Sequence, residues 1–331
     1  MISRGCEQCA LGGKLVLFVH GYCDNRDCFY CPLGENRKNV DQVFANERPV
    51  ETDEDVLEEA RKMDAMGSSI TGGEPLESMD RTTHYISLLK DEFGSDHHVH
   101  LYTGITGDRE IMRELADAGL DEIRFHPPVA RWGDLHGTRW EEILHVAREA
   151  GLTPAFEIPG IEAETEFLEF IEEGAADFVN VNEFELSQGN HRRMREQGYD
   201  RRENHMSAVE GMSEEDLAEL VSHPKVYFCT STFKDAAQHR NRLRRTARNV
   251  RREFEEVTED GTLVYGVTEV DPDRLAELGV PGEYYEDTGE RIEMAWWLLE
   301  EMIDDGDVAS GAVLEQYPTH DGQIVERTPL D

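Results

Sequence analysis

The chain has 331 residues, which is enough for one large α/β domain with an extension or for two domains. Its 71 acidic and 33 basic residues give a formal net charge of −38. Apolar runs recur along the chain, so this charge indicates an acidic coat on a folded protein that works in concentrated salt, rather than disorder. The same charge argues against nucleic acid as a general partner.

The cysteine content and the lack of long apolar runs indicate the cellular compartment in which the protein works. The opening "MISRGCEQCA" has no basic region followed by an apolar stretch, so no secretory signal is expected. No run approaches the roughly 18 apolar residues of a membrane helix. We therefore expect a cytoplasmic protein without a membrane span. In that setting, six partly clustered cysteines are more often metal-binding or redox-active than cross-linked.

Short apolar strands alternate with helical stretches over the first half of the chain. The helical stretches carry apolar residues at i, i+3 and i+4, acids near their starts and often a glycine at their ends. Six strand–helix units in order predict a parallel sheet with right-handed crossovers, and units of about 25 residues favour a full or partial barrel. In such folds the chemistry lies at the carboxyl ends of the strands. The predicted strands are 14–20, 68–71, 98–105, 122–127, 153–160 and 177–184.

The alternation breaks after residue 186. We predict an N-terminal leader over 1–13, a core over 14–230 and a smaller C-terminal α+β extension over 231–331. The later elements predicted from apolar spacing are a helix at about 213–222, a strand at 225–229, a long helix at about 235–255, a strand at 262–270 and a helix around 289–304.

Three cysteines follow the first strand with the spacing C-x4-C-x2-C: Cys23, Cys28 and Cys31. Three close thiolates suit zinc or an iron–sulfur cluster. A structural zinc site normally takes four ligands, and the nearby stretch offers no fourth cysteine. Three ligands leave one coordination position open, which is typical of a reactive centre, and a structural zinc site is the alternative.

The second strand ends in "TGGEP", residues 71–75. Glycines at this place would bring the backbone close to a ligand, and the carboxylate of Glu74 could bind an amine. A carboxylate that caps the following helix is the alternative for Glu74. The combination of this motif with the preceding three-cysteine loop is more specific than either alone.

Together, the two motifs resemble those of the radical S-adenosylmethionine (radical SAM) enzymes, with the match running over roughly residues 14–230. The resemblance implies a partial (β/α)6 barrel. It also implies that Cys23, Cys28 and Cys31 hold a [4Fe–4S] cluster whose fourth iron is chelated by S-adenosylmethionine. Electron transfer into such a cluster yields a 5′-deoxyadenosyl radical that abstracts hydrogen from a substrate.

The resemblance further implies contacts to S-adenosylmethionine and two kinds of partner. The partners are an electron donor such as ferredoxin or flavodoxin and a small-molecule or protein substrate that the sequence does not identify. The alternative function is a non-enzymatic iron–sulfur or zinc protein. The implied cofactor contacts are Tyr30 near the adenine, Gly72, Gly73 and Glu74 at the methionine amino group, Ile158 and Gly160 behind the adenine, and Asn182 on the adenine side, with Thr103 at a strand end as a further candidate.

One feature departs from the family pattern. The first gap between cysteines is four residues, "DNRD", where three are usual. The segments "CPLGENRK" and "VFANERPV" look like an archaeal group related to the pyruvate formate-lyase activating enzyme.

A second C-x2-C, Cys6 and Cys9, precedes the first strand, and Cys229 ends a later one. These three could hold an auxiliary cluster. If the strand ending at Cys229 is parallel, the leader would lie at the opposite rim, ~20–30 Å away, unless it folds back or the strand runs antiparallel. A structural thiol pair and a buried cysteine are the alternative.

Two residues of the fourth predicted strand and several basic residues in the C-terminal half are further candidates for a functional site. Arg124 and His126 are two apart and therefore share one face of their strand, which could point inward or outward. The basic segment 233–253 could bind a phosphate or carboxylate group of a substrate, or its arginines could pair with neighbouring acids. The candidates for the anionic-substrate site are Arg240, Arg244 and Arg248, with Arg192, Arg193 and Arg195 as additions.

Overall fold

The computed structural model describes residues 2–24, 28–163 and 165–331. It divides into two compact units. The first holds residues 1–59 and 65–238, and the second holds residues 60–64 and 239–331. The predicted domain boundaries at 13/14 and 230/231 stay predictions.

A sheet of mostly parallel strands organises the first unit. Its strands are β1 (Lys14–Phe18), β2 (Phe44–Ala45), β3 (Arg48–Pro49), β4 (Gly67–Thr71), β5 (His98–Thr103), β6 (Glu122–Phe125), β7 (Thr153–Pro159), β8 (Val179–Asn182) and β9 (Val226–Cys229). They pair in the order β3-β2-β1-β4-β5-β6-β7-β8-β9. From β1 to β9 each strand is parallel to the next, and β2 and β3 form an antiparallel hairpin at the β1 edge.

Helices connect the parallel strands, as the apolar spacing predicts. Asp108 caps α4 by accepting from the backbone N–H groups of Glu110 and Ile111, and Thr138 caps α5 in the same manner. Among the described residues the α-helices of this unit are α1 (Arg4–Ala10), α2 (Asp53–Lys62), α3 (Met79–Phe93), α4 (Arg109–Asp117), α5 (Arg139–Glu149), α6 (Thr165–Glu173), α7 (His191–Glu196), α8 (Ala218–Val221) and α9 (Ser231–Phe233). Shorter turns are the 3-10 helices Pro75–Ser78 and Val129–Arg131 and the π-helical segment Lys234–His239.

The six strands predicted for the barrel are all present as β1, β4, β5, β6, β7 and β8, and β9 adds a further parallel strand. The alternation of apolar runs and amphipathic helices therefore predicted the sheet correctly. The hairpin of β2 and β3 was not predicted, because strands of two residues carry no periodic signal.

The leader folds back against the inner side of the sheet. Helix α1 begins at Arg4, after Ser3 accepts a hydrogen bond from the backbone N–H of Cys6. It packs against β1, β4 and β5, and Cys6 also contacts Asn180 of β8. The sequence predicts a leader far from Cys229 if β9 is parallel and the leader does not fold back. In the structure β9 is parallel, but the leader folds back.

The second unit is an antiparallel sheet with helices. Its strands are β10 (Glu256–Val257), β11 (Leu263–Thr268), β12 (Tyr285–Asp287), β13 (Ile292–Met294), β14 (Gly311–Gln316) and β15 (Ile324–Leu330). Its α-helices within the described residues are α10 (Arg240–Val250), α11 (Pro272–Glu277) and α12 (Trp296–Asp304), with a 3-10 turn at Gly282–Tyr284. The strand order is β12-β13-β11-β14-β15, and β10 pairs with β11. The prediction of an α+β extension is confirmed.

Three predicted helices have different bounds. The helix predicted at 213–222 is reduced to α8, because Asp216 accepts hydrogen bonds from the backbone N–H and hydroxyl of Ser213 and so favours a turn before it. The long helix predicted to residue 255 ends at Val250. Just after it, the backbone N–H of Arg252 donates to the carboxylate of Glu255.

The helix predicted at 289–304 begins only at Trp296. Its first part is β13, in which Ile292 and Met294 are buried and pair with β11. Where a strand of alternating apolar residues runs directly into a helix, the apolar spacings fit the strand period as well as the helix period. Periodicity alone therefore could not locate the boundary between β13 and α12. Within the residues that the structure describes, no helix has the length and apolar character needed to cross a bilayer.

Candidate functional site

The first unit contains a cavity of about 350 Å³ at the carboxyl ends of its parallel strands. This is the edge at which parallel α/β sheets bind ligands. The sequence-predicted residues on its wall are Cys23, Cys28, Cys31, Tyr30, Gly72, Gly73, Glu74, Thr103, Asn182 and His126. Residues from four strand ends and the cysteine loop therefore meet in one place.

Ile158 and Gly160 are not on this wall. Successive residues of a strand point to opposite faces, and it is Glu157 that faces the cavity while Ile158 is buried on the other face. The backbone N–H of Gly160 donates to the carbonyl of Asn182 (2.6 Å), and a Cβ at this position would lie 3.0 Å from that oxygen. Gly160 thus lets β7 and β8 approach closely at their ends.

The three cysteines of the loop after β1 are half-buried and line the same cavity. The backbone N–H of Cys31 donates to the carbonyl of Cys28 (3.1 Å), which turns the loop back on itself. Over residues 2–24, 28–163 and 165–331, no three His, Cys, Asp or Glu side chains converge as metal ligands do. The predicted effect of the four-residue gap concerns residues 25–27 and lies outside the described residues.

The donor chemistry of this wall fits a cluster held by three thiolates. Of the described residues, three cysteines and no further cysteine line the cavity. Thiolates are the usual protein ligands of iron–sulfur clusters. A cluster held by three thiolates has one coordination position without a protein ligand, and a small molecule can bind there.

The two glycines of "TGGEP" pack against the backbone that leads into the cysteine loop. A Cβ on Gly73 would lie 1.9 Å from the carbonyl oxygen of Tyr22, and one on Gly72 would lie 2.7 Å from that of His20. The backbone N–H of Gly73 donates to His20 (2.6 Å), and that of Glu74 donates to Tyr22 (2.8 Å). The glycines are therefore required for contact between two loops, and not only for approach to a ligand.

Glu74 is 1% exposed and its carboxylate is fixed by three donors. One oxygen accepts from the hydroxyl of Thr103 (2.6 Å) and from the backbone N–H of Leu76 (3.2 Å). The other accepts from the backbone N–H of Gly104 (2.9 Å). The alternative role of Glu74 as a helix cap is thus observed, and the same carboxylate also lies on the cavity wall.

Tyr30 and His126 form a hydrogen-bonded pair on the wall. The Nδ1 atom of His126 lies 2.7 Å from the carbonyl oxygen of Glu157, so this nitrogen must carry the proton and donate. The Nε2 atom is then the acceptor for the hydroxyl of Tyr30, at 2.7 Å. This pair orients the Tyr30 ring.

Arg124 and His126 share the inward face of β6, which answers the question that the sequence left open. Arg124 is 1% exposed and donates to Glu122 (2.5 Å) and to Glu157 (2.9 Å). Burial opposes the charge of Arg124, but Tyr102, Glu157 and Glu122 outweigh it and hold its pKa well above the ordinary value. The guanidinium is therefore permanently charged inside the sheet.

The sequence interpretation missed several residues of the wall, among them Glu157, Tyr102 and Lys38. A signal for Glu157 was present, since an acid within an otherwise apolar parallel strand must be paired or functional. Arg193, considered only as an addition to the basic helix, also lines this cavity. Arg195 lies elsewhere, at a surface pocket beside α7.

The arginines of the basic helix are engaged with acidic segments of the second unit. Arg240 pairs with Asp260 (3.1 Å), and Arg244 donates to the carbonyl oxygen of Glu259 (2.5 Å). Arg248 lies beside Arg251 at a surface pocket that Glu256 also lines. This is the alternative of arginines paired with neighbouring acids, and the anionic-substrate site stays a prediction.

Cys6 and Cys229 are buried, and Cys9 is half-buried. Burial raises the pKa of Cys9 to about 11 and that of Cys229 to about 12, so both thiols keep their protons at neutral pH. Cys6 lies against Asn180 and Arg124. These surroundings fit structural thiols, and the auxiliary cluster stays a prediction.

Comparisons with known proteins show the family of the chain. The model of the radical SAM superfamily matches residues 18–127, and that of a domain of unknown function, DUF8061, matches residues 261–330. A Methanocaldococcus jannaschii protein, provisionally named a glycyl-radical enzyme activating enzyme, is 37% identical over 99% of this chain and 93% of its own length.

Solved radical SAM structures are more distant in sequence. Methylornithine synthase is 13% identical, with a TM-score of 0.44 over 69% of this chain and 72% of its own. A radical SAM methyltransferase from Kitasatospora setae, solved with tryptophan and a SAM analogue, is 16% identical, with a TM-score of 0.39. That match covers 58% of this chain and 40% of the methyltransferase.

The chain belongs to the radical SAM superfamily. It is a radical SAM enzyme with a partial barrel of parallel strands, and its cofactors are a [4Fe–4S] cluster and S-adenosylmethionine. The predicted family, its relation to activating enzymes, the fold class and both cofactors are confirmed, and the non-enzymatic alternative is set aside.

Proposed function

We propose that the protein is an activating enzyme that abstracts a hydrogen atom from another protein, a glycyl-radical enzyme. The observation that carries this proposal is the 37% identity to a protein provisionally named for that role, which extends over 99% of the chain. A match of that extent includes the second unit as well as the cysteine loop and "TGGEP". Relatives that shared only a cofactor site would be expected to match mainly around those motifs.

The proposed cofactor site is the cavity of the first unit. Cys23, Cys28 and Cys31 are the proposed cluster ligands, and the wall formed by Gly72, Gly73, Glu74, Thr103, Tyr30 and Asn182 is the proposed binding surface for S-adenosylmethionine. When bound, the two cofactors supply the reductive cleavage that generates a radical for hydrogen abstraction. Ile158 and Gly160 are proposed to support this wall from behind.

The chain's own residues orient the ligand and limit water. Thr103 and the backbone of Gly104 hold the Glu74 carboxylate in one position before any ligand arrives, so little reorganisation is needed on binding. The Tyr30 ring is held by His126. A cavity of about 350 Å³ is within the range of small-molecule sites, and exclusion of water from such a site protects a radical from side reactions.

The reducing partner is proposed to be an acidic electron carrier such as ferredoxin or flavodoxin. Lys38 and Arg193 line the cavity together with the three cysteines and supply positive charge in a chain whose net charge is −38. Opposite charges favour encounter between proteins and lose strength in salt. The acidic coat itself is proposed to suit concentrated salt inside the cytoplasm.

The test of the proposed function is hydrogen abstraction from a protein. The reconstituted enzyme is mixed anaerobically with S-adenosylmethionine, a reductant and a glycyl-radical enzyme encoded in the same genome. We expect a carbon-centred radical by electron paramagnetic resonance, with one 5′-deoxyadenosine formed for each radical. A partner in which the radical-bearing glycine is replaced by alanine is the control. Cleavage that a small molecule stimulates, with no radical on the protein, would contradict the proposal.

A further inference from the structure

Glu157 is an acid on the cavity wall that the sequence motifs do not include. Its side chain is 15% exposed, and β7 directs it into the cavity while Ile158 points away. One carboxylate oxygen accepts from the side-chain amides of Asn180 (2.7 Å) and Asn182, and the other accepts from Arg124 (2.9 Å). Glu157 is therefore held in one orientation by donors on both of its oxygens.

Arg124 connects Glu157 to helix α1. Its Nη1 atom donates to Glu157, while its Nη2 atom donates to the hydroxyl of Ser3 (2.9 Å) and to the thiol of Cys6 (3.4 Å). The guanidinium is planar and rigid, so displacement of one edge moves the other. Ser3 and Cys6 thus fix the side of Arg124 that is remote from the cavity.

A second connection runs from the same helix through Asn180. The thiol of Cys6 donates to the Oδ1 atom of Asn180 (3.6 Å), and the Nδ2 atom of Asn180 donates to Glu157 (2.7 Å). Cys6 therefore contacts two of the three residues that hold Glu157, Arg124 and Asn180. Each oxygen of the Glu157 carboxylate is connected to α1 through one intervening side chain.

Gly5 allows α1 to lie this close. A Cβ at Gly5 would be 2.8 Å from Nη2 of Arg124 and 2.7 Å from Nδ1 of His100. Both distances are shorter than normal contacts, so any side chain at this position must displace the ends of Arg124 and His100. The helix has no room to retreat without breaking its contacts with β1, β4 and β5.

We propose that α1 positions a residue of the ligand site. Through Arg124 and Asn180 it fixes Glu157, and Glu157 accepts a hydrogen bond from a hydroxyl or amino group of the bound ligand. Arg124, Asn180 and Cys6 are positioning residues in this account. Both α1 and Glu157 lie outside residues 18–127, the part matched by the superfamily model. The proposal rests on the proposed cofactor site.

The chemistry of Glu157 defines the ligand group. An ionised carboxylate only accepts hydrogen bonds, so the ligand must present a donor. Arg124 already compensates the negative charge, so a neutral hydroxyl suits the position as well as an ammonium group does. A shift of a fixed acceptor by a fraction of an ångström weakens such a bond, because hydrogen bonds depend strongly on distance and angle.

The test compares substitutions at two positions of α1, one on the side that faces Arg124 and one on the exposed side. Gly5→Ala pushes against Arg124, whereas Glu7→Ala changes an exposed residue of the same helix. Affinity for S-adenosylmethionine is measured by calorimetry on anaerobically reconstituted protein, with iron content and thermal unfolding as separate readouts. We expect Gly5→Ala to weaken binding about tenfold at full iron content and Glu7→Ala to leave it unchanged.

A double-mutant cycle separates positioning from a general loss of structure. Glu157→Gln should weaken binding to a similar extent, and Gly5→Ala combined with Glu157→Gln should weaken it no further, since both act on the same hydrogen bond. Additive losses, or an unchanged affinity in Gly5→Ala, would overturn the inference. If the wild-type protein carries a full cluster yet does not bind S-adenosylmethionine, the proposed function fails together with this inference.

A second pair of variants covers the case in which Gly5→Ala does not fold. Cys6→Ala removes the contacts to Arg124 and Asn180 without adding volume, and Cys6→Ser restores a donor and an acceptor at the same place. We expect a several-fold loss of affinity in Cys6→Ala and recovery in Cys6→Ser. Equal affinities in the two variants would contradict the role of α1.

Discussion

The two ends of the parallel sheet in the first unit hold two groups of cysteines in opposite surroundings. At the carboxyl end, Cys23, Cys28 and Cys31 are half-buried on the wall of a cavity. At the amino end and along the inner face, Cys6 and Cys9 lie on a helix packed against the strands, and burial raises their pKa values. Spacing alone makes both groups look like metal ligands.

The difference bears on the proposal that the loop cysteines, and not those of α1, are the cluster ligands. A thiol binds metal as the thiolate and needs room for the metal beside it. The loop cysteines lie on the wall of a cavity, whereas the buried thiol of Cys6 is packed against Asn180 and Arg124. Access to a cavity, rather than the C-x2-C spacing, separates the loop cysteines from Cys6.

The largest change in stability is expected at the carboxyl end, in Gly73→Ala. The new Cβ would lie 1.9 Å from the carbonyl oxygen of Tyr22, and this atom belongs to the backbone, so the two loops must separate. We expect a loss of about 3 kcal/mol in the free energy of unfolding. Denaturant unfolding followed by circular dichroism measures it.

Gly282→Ala is the matched control for this change. Nothing lies within 4 Å of a Cβ at Gly282, and its backbone is not in the left-handed region. We expect a change within about 0.5 kcal/mol of wild type. Equal losses in the two variants would show that the contact between the loops is not what requires the glycine.

A smaller effect is expected at the amino end, where histidines are buried near Lys14. Burial, followed by the charge of Lys14, lowers the pKa of His98 to about 3 and that of His97 to about 4. In the unfolded chain these histidines bind protons below about pH 6.5, while in the folded chain they do not until pH 4 to 3. Each therefore reduces stability as the pH falls from 6.5, by about 2 kcal/mol at pH 5.

The measurement is the difference between unfolding free energies at pH 6.5 and pH 5, compared between wild type and His98→Gln. We expect the variant to lose about 2 kcal/mol less than wild type over this interval. The exposed His320 provides the control, since His320→Gln should follow wild type. A pH dependence that is the same in all three proteins would mean that His98 is not held neutral by the fold.

Local patterns predicted the strands and the cysteine loop because each is set by a short stretch of sequence. The three cysteines, "TGGEP" and the end of β5 meet because parallel strands place their carboxyl ends together. The position of Glu157 also follows from strand alternation once the inward face is known. The sequence alone does not say which face that is, and the role of Ile158 behind the adenine, which came from the family resemblance, stays a prediction.

Long-range packing accounts for what the sequence left undetermined. Helix α1 folds back because Ser3 and Cys6 meet Arg124, a residue about 120 positions further along the chain, and no local signal carries that contact. The start of α12 was placed too early because β13 ends directly before it and both segments are apolar. The engagement of Arg240 with Asp260 likewise depends on tertiary structure.

The most direct test of the account is the iron content of two cysteine variants together with cleavage of S-adenosylmethionine. We expect Cys31→Ala to lose the cluster and to form no 5′-deoxyadenosine under reducing, anaerobic conditions. Cys9→Ala should keep the iron content of wild type and cleave S-adenosylmethionine. Retention of the full cluster in Cys31→Ala, or loss of iron in Cys9→Ala, would contradict the assignment of the cluster to the cavity at the carboxyl ends of the strands.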